Sequence, residues 1–436
     1  MTHFRHAARN FLTKLTVATI AFGVSIFIPR LMGSEHYGYY ALLTVIIGFL
    51  IPLTSMGLGA GFIYLLANRR YLMEHAVHSQ LLVASAIGVA NAVFLLAAWF
   101  FEFPKALFSQ MTASEWTLLA VCSFCQTISY FAGRMWTGLS EFRKLNAIEL
   151  FGSLSSPISL LTFYYLTGNA DRNYILYALL FHSVSLLAAN GWFVKGIQWI
   201  PAWNAGFVRE ALQYGIKSWF GDMALRANLR LDQLILGSVS TISSLGIYSA
   251  AVKLSELIWY IPDATGPVLY NKIASTPAGE QQLHMLGRVH RLLFSACTAV
   301  SLAWAALVVW VLIPFVLGPE FHLAIWPFLL LMPGTVLLIS TKVLTKLYSA
   351  GGNVHWTSQI TIAGSLIAAL LYLIFIPAKG IIGAAVASSI GYFAMCVVCW
   401  LYAIRHYQLH PAHYFVAQWS DLRWLGDQMK KTFSRS

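Results

Sequence analysis

Uninterrupted apolar runs of about twenty residues recur from one end of the chain to the other, and they restrict the fold more than any other feature. Leu81–Phe100 reads LLVASAIGVANAVFLLAAWF and Ile382–Ile404 reads IGAAVASSIGYFAMCVVCWLYAI, each without a charge. In hydrocarbon no water is present to satisfy a backbone N–H or C=O, so only helices or a closed barrel can cross. Barrel strands alternate in polarity over about ten residues; these runs do not. The chain therefore reads as an all-α polytopic membrane protein. Composition agrees, with 10% charged residues against about 25% in soluble domains. The formal net charge of +12 would suggest nucleic acid in a soluble protein. Here loops rich in Lys and Arg on one membrane side account for it, and no basic domain stands outside the runs, so no nucleic-acid partner is expected.

The runs place about twelve transmembrane helices, at about 11–31, 37–56, 80–101, 116–136, 147–166, 174–194, 212–239, 245–270, 292–312, 323–347, 357–376 and 382–404. The first is too long and lacks the small-residue site of a cleavable signal, so it is expected to stay as a span. Residues 57–67 read as a glycine-rich turn or interfacial piece, and 196–210 (GIQWIPAWNAGFVRE) as an interlobe linker broken by Pro201. Residues 405–436 read as a cytoplasmic amphipathic, basic tail. Phe415, Trp419, Leu422, Leu425 and Met429 share one helical face near Lys430, Lys431 and Arg435, which suits anionic lipid. Arg69, Arg70, Arg143, Lys144, Lys342 and Lys346 fall on the side of the N-terminus. The far side holds only Arg30, Lys105, Arg172 and Lys379, diluted by acids such as Glu35, Glu115 and Asp171. That asymmetry puts both termini in the cytoplasm. Cys122/Cys125 and Cys396/Cys399 lie inside apolar spans without His or acidic neighbours and read as small core residues, so no metal or cofactor is expected.

One stretch breaks the apolar rule. From Tyr214 the chain reads YGIKSWFGDMALRANLRLDQLILGSVS, and from Leu245 LGIYSAAVKLSELIWYIPDATGPVLYNKI. Each charge at a helix centre costs about 2.5–3.5 kcal/mol on insertion scales. Such side chains must pair or face a water-filled interior, which marks a functional site by default. Asp222, Arg226 and Arg230 follow at i, i+4, i+8 and share a helix face, with Asp232 on another. Lys253, Glu256, Tyr260 and Asp263 form a second stripe, and Pro262 is expected to kink that span.

The halves also resemble each other. GYYALLTVIIGFLIPLTSMGLG from Gly38 aligns with GIYSAAVKLSELIWYIPDATGP from Gly246, and a looser pair starts at Gly138 and Gly351. Six spans separate the partners in each pair, which keeps the repeats parallel. Two six-helix lobes, 1–195 and 211–404, related by a pseudo-two-fold axis along the membrane normal are expected, with rocking between them giving alternating access.

At Arg230–Gly237 (RLDQLILG), Leu245–Glu256 (LGIYSAAVKLSE), Gly351–Asn353 (GGN), Ile376–Ala387 (IPAKGIIGAAVA) and Glu35–Tyr40 (EHYGYY) the chain resembles the polysaccharide transporter family, the O-antigen flippases of the multidrug/oligosaccharidyl-lipid/polysaccharide exporter superfamily. The resemblance spans nearly the whole chain. It implies a transporter, not an enzyme, in the bacterial inner membrane. Such a protein moves a polyprenyl-diphosphate-linked oligosaccharide, an O-antigen or exopolysaccharide repeat unit, from the cytoplasmic to the periplasmic leaflet. It would work in lipopolysaccharide or related glycan assembly, among membrane lipids and other polysaccharide-assembly proteins. It also implies ion-gradient coupling, and the chain has no Walker-type glycine loop for ATP.

The residues suit that cargo. A diphosphate needs cationic donors, and Arg grips it bidentately. Arg226, Arg230, Lys253, Arg134 and Arg30 are the candidate anion ligands, with Tyr260 for sugar stacking. The bland alternative is that the arginines only neutralise Asp222 and Asp232, or that Arg30 and Arg134 snorkel. Asp222, Glu256, Asp263 and Asp232 are the candidates for ion coupling, Glu256 having a structural bridge to Lys253 as its alternative. A drug/cation antiporter of the same superfamily would need an anionic pocket without these arginines. A membrane glycan polymerase or ligase would carry a sizeable outer loop, and none is present.

Overall fold

The computed structural model describes residues 2–101, 111–167, 172–194, 203–277 and 279–424, and no β-strand occurs among the described residues. α1 (Thr2–Ser55) contains the first two expected spans, bent between them at Gly33, whose φ of 73° and ψ of 172° suit only glycine. α12 (Val354–Tyr407) contains the last two, bent at Gly380 (φ 55°, ψ −130°) just after Pro377. Between them lie α2 (Leu58–Ala67), α3 (Met73–Phe100), α4 (Ala113–Gly138), α5 (Phe142–Thr167) and α6 (Asn173–Val194). There follow α7 (Ala205–Val239), α8 (Ile242–Glu256), α9 (Tyr260–Ser275), α10 (Glu280–Leu307) and α11 (Ile325–Ala350). Thr19–Ser55, Met73–Phe100, Asn173–Val194, Glu280–Leu317, Pro319–Ala350 and His355–Tyr407 are each long and apolar enough to cross a membrane. α4, α5 and α7 have the length but are more polar.

Three local differences from expectation have physical causes. The 57–67 segment is not a turn but the helix α2, because Leu58, Phe62, Leu65 and Leu66 share a buried face; the turn is Met56–Gly57, at φ 45° and 78°. The kink expected at Pro262 falls one turn earlier, as a 3₁₀ turn at Leu257–Trp259. Pro262 has no N–H for the Ile258 carbonyl and its ring crowds that group, so the distortion lands upstream. Of the expected linker, residues 196–202 lie outside the described residues, while from Ala205 onward the chain is already α7, capped by the Asn204 side chain on the Phe207 N–H at 2.9 Å.

The chain packs as two compact units, one of residues 1–226 and 233–249, the other of 227–232 and 250–436, so that α7 and the α8 segment contribute to both. In the first unit Phe62, Phe131, Met135, Trp136 and Phe207 form a buried core, with the Phe62 and Phe207 rings stacked at 5.2 Å. Polar cross-links join its helices: Gln126 donates to Ser183 at 2.9 Å, Asn91 to Thr127 at 3.1 Å and Trp136 to Asn190 at 3.2 Å, while Ser155 meets His182 at 2.7 Å. Buried Glu115 is held by Arg172 (3.0 Å) and Tyr39 (3.0 Å). Gly38 and Gly246, the glycines paired by the sequence repeat, touch through their backbones. A methyl on Gly38 would overlap the Ile242 carbonyl, and one on Gly246 would overlap the Ser34 carbonyl.

In the second unit α11 packs along α12, and the chain after Tyr407 folds back onto α10. The Tyr414 carbonyl accepts from His290 Nδ1 at 2.7 Å, which leaves Nε2 to accept from the Ser340 hydroxyl at 2.8 Å; Ser340 in turn accepts from Trp400 Nε1 at 2.9 Å. Arg291 grips Asp421 with two bonds, 2.7 and 2.8 Å. The tail is thus not one amphipathic helix through Phe415. That ring is packed against Phe294 at 4.9 Å, and Leu425, Met429, Lys430, Lys431 and Arg435 lie outside the described residues.

Candidate functional site

The charges of α7 divide between the two units after Arg226. In the first unit, Asp222 and Arg226 stand one turn apart on α7, and Arg134 comes from α4. The Arg134 guanidinium lies over the Tyr130 ring at 4.8 Å, and α2 passes so close that a methyl on Gly59 would come 3.1 Å from the Tyr130 hydroxyl and 3.2 Å from Arg134 Cγ. Arg226 and Arg134 are the cations whose fields reach the Asp222 carboxylate. Among the described residues none of the three is closed into an ion pair within 4 Å. Two cations against one carboxylate leave this group net positive and able to take an anion. Sequence spacing gave Asp222 and Arg226; the third member required the fold.

Arg230 is closed into an ion pair. It forms a bidentate pair with Glu256 at the end of α8, NH1–Oε1 2.6 Å and NH2–Oε2 2.9 Å. Lys253, the partner that sequence spacing offers Glu256, stands back at 4.0 Å and is half-exposed. The fork of a guanidinium matches both carboxylate oxygens at once, whereas an ammonium one turn away on the same helix meets only one edge. Asp263 is paired with Lys342 of α11 at 2.7 Å, and the Lys342 ammonium also lies over the Trp259 ring at 5.0 Å. By sequence Lys342 reads only as a topology marker, although it lies inside the tenth apolar run, where a charge has to find a partner. Tyr260 opens α9 exposed, within the fields of Glu256 and Asp263. Arg30 is exposed three residues before the Gly33 bend.

Asp232, 2% exposed, lies on the other face of α7, and its field reaches Arg230. Its carboxylate accepts from Ser388 at 3.1 Å, which meets the Tyr372 hydroxyl at 3.0 Å; that hydroxyl donates to the Asn228 carbonyl at 3.0 Å. One turn before Asp232, the Asn228 side chain is fully buried, and among the described residues neither its oxygen nor its nitrogen has a hydrogen-bond partner. A buried amide lacking every bond is costly. Beside a buried carboxylate it is a ready ligand. Asn228, Tyr372 and Ser388 were not singled out from sequence, because α7 and the two halves of α12 are far apart in the chain. The five cysteines are buried and free, and no group of three or more His, Cys, Asp or Glu that could hold a metal ion occurs among the described residues.

Residues 5–261 match a protein family described as polysaccharide biosynthesis protein. No curated protein sequence matches the chain. Solved structures with similar folds include the lipid II flippase MurJ in an inward closed conformation, with TM-score 0.73, 13% identity, and 93% of this chain and 88% of that one covered. They also include a multidrug resistance MATE family transporter of the MOP superfamily, inward-facing, with TM-score 0.70, 14% identity, and 90% and 97% covered. A MOP superfamily transporter from Pyrococcus furiosus follows at TM-score 0.56, 13% identity, with 91% and 93% covered. At these identities the likeness is one of fold, and the fold is that of MOP superfamily transporters. With more than half of its length inside the family match, the chain belongs to the polysaccharide biosynthesis protein family.

Proposed function

We propose that this protein is a flippase for polyprenyl-diphosphate-linked oligosaccharide, an O-antigen or exopolysaccharide repeat unit, moving it from the cytoplasmic to the periplasmic leaflet of a bacterial inner membrane. The observation that carries the reading is the net-positive, unclosed group of Arg226 and Arg134 beside Asp222 on the long helices α4 and α7. A glycan diphosphate cannot cross about 30 Å of hydrocarbon unaided, and cations held in a low-dielectric interior replace its hydration. Family membership and the likeness in fold to a lipid II flippase support the same class of cargo.

The transport cycle is alternating access across two six-helix lobes, with α1 and α12 each supplying two of twelve crossings and both termini cytoplasmic. Ion coupling rests on Asp232, with the orphaned Asn228 amide and the hydroxyls of Ser388 and Tyr372 able to complete a cation's oxygen shell. A drug/cation antiporter is the second reading, favoured only by the likeness in fold to MATE transporters; two arginines around one acid disfavour a cationic cargo.

Complementation tests this. The gene is deleted in its host, surface glycan is followed, and wild type or Arg134→Ala plus Arg226→Ala is returned at equal expression. The proposal expects wild type to restore glycan and the double variant to leave lipid-linked units in the cytoplasmic leaflet. Asp232→Asn should retain substrate binding but lose transport. Intact glycan after deletion, with altered drug tolerance, would replace the flippase reading by the antiporter.

A further inference from the structure

The second unit holds a different cationic group, whose ion pairs are unequal. Arg230 is closed: both Glu256 oxygens bond it, and the field of buried Asp232 reaches it as well. Lys342 is held by a single contact to Asp263, and the Asp263 side chain is 59% exposed. Exposed single-contact pairs contribute little and exchange readily. Lys253 is 52% exposed and 4.0 Å from a carboxylate whose oxygens Arg230 already occupies. Lys253 and Lys342 both act electrostatically on Glu256, so the two ammonium groups share one neighbourhood. Three cations face three carboxylates, Glu256, Asp263 and Asp232, and the counter-charges held most loosely are those of the two lysines.

We propose that Asp263 is an exchangeable counter-ion, and that Lys342 and Lys253, once Asp263 gives way, form a diphosphate subsite in the second unit. A dianionic diphosphate matches two ammonium groups, and displacing one exposed carboxylate costs little. The closed Arg230–Glu256 pair serves as a rigid wall beside them. The Trp259 ring, fixed by its Nε1 donating to the Thr335 carbonyl at 3.0 Å, holds the Lys342 ammonium in place while its anion changes. The inference deepens the flippase reading and rests on it for the source of the diphosphate.

The test measures binding of farnesyl diphosphate, with inorganic pyrophosphate and farnesyl monophosphate alongside, to the purified full chain in detergent. Asp263→Asn, which removes the competing charge, should tighten farnesyl diphosphate roughly three- to tenfold. Lys342→Gln should weaken it roughly tenfold or more, and the double variant should bind no more tightly than Lys342→Gln. A damaged fold cannot produce the expected gain in Asp263→Asn, so that arm stands even where Lys342→Gln is unstable. Preference for farnesyl diphosphate over pyrophosphate identifies a lipid-linked source, and equal binding a soluble one; both support the subsite. Asp263→Asn that binds no more tightly, or Lys342→Gln that binds as wild type, overturns it. Failure of the complementation experiment with these binding results intact would remove the flippase reading alone.

Discussion

The backbone contact between Gly38 and Gly246 makes a quantitative prediction. A Cβ at Gly38 would stand 2.9 Å from the Gly246 nitrogen, and one at Gly246 would stand 2.8 Å from the Gly38 nitrogen, each closer still to a carbonyl. Comfortable separation is about 3.5 Å, so the two helices must part by at least about 0.6 Å to admit one methyl. Overpacking of this kind costs about 1–3 kcal/mol. The parting also stretches the Ser34–Ser243 hydroxyl bond, now 2.8 Å, adding about 1 kcal/mol. Gly38→Ala should therefore destabilise by about 2–4 kcal/mol in equilibrium unfolding in mixed micelles followed by tryptophan fluorescence. Because the contact is reciprocal, one parting admits both methyls, and Gly38→Ala plus Gly246→Ala should cost well below the sum of the singles. Gly48→Ala is the control: nothing lies within 4 Å of its Cβ, and the change should be neutral or stabilising. Additive singles, to within about 0.5 kcal/mol, or a Gly38→Ala loss below that figure, would refute the shared-gap reasoning.

Two further outcomes are expected. Arg230→Met leaves Glu256, 14% exposed, with Lys253 at 4.0 Å and the weaker field of Lys342, and should cost about 2–3 kcal/mol, whereas Arg230→Met with Glu256→Leu should be near neutral in the same unfolding assay; equal losses would show that the pair does not stabilise the unit. Bonding to Arg291 holds the Asp421 carboxyl below its ordinary value. Its folded value being the lower one, the docking it supports is complete above about pH 4 and lost only as pH falls through the lowered value. Hydrogen exchange of residues 408–424 should stay protected down to that range. Release well above the ordinary carboxylate range would refute Asp421 as the latch.

The sequence alone determined the class of the molecule. A backbone in hydrocarbon has no alternative to internal hydrogen bonds, so continuous apolar runs read as helices, and charges within them read as a site. Gly38 and Gly246 could be matched by their flanking pattern, and Asp222 and Arg226 by helical spacing. What spacing could not supply was the choice of partner across helices. Glu256 lies one turn from Lys253, yet Arg230 takes it, because a guanidinium from a facing helix meets both oxygens and an ammonium on the same helix meets one. Arg134 joins Asp222 from α4, Lys342 meets Asp263 from α11, and the Asn228 amide has no hydrogen-bond partner among the described residues. Local pattern fixes which residues must avoid lipid. Only tertiary packing, which sets distance and angle between residues remote in the chain, decides which charges cancel and which are left for a ligand.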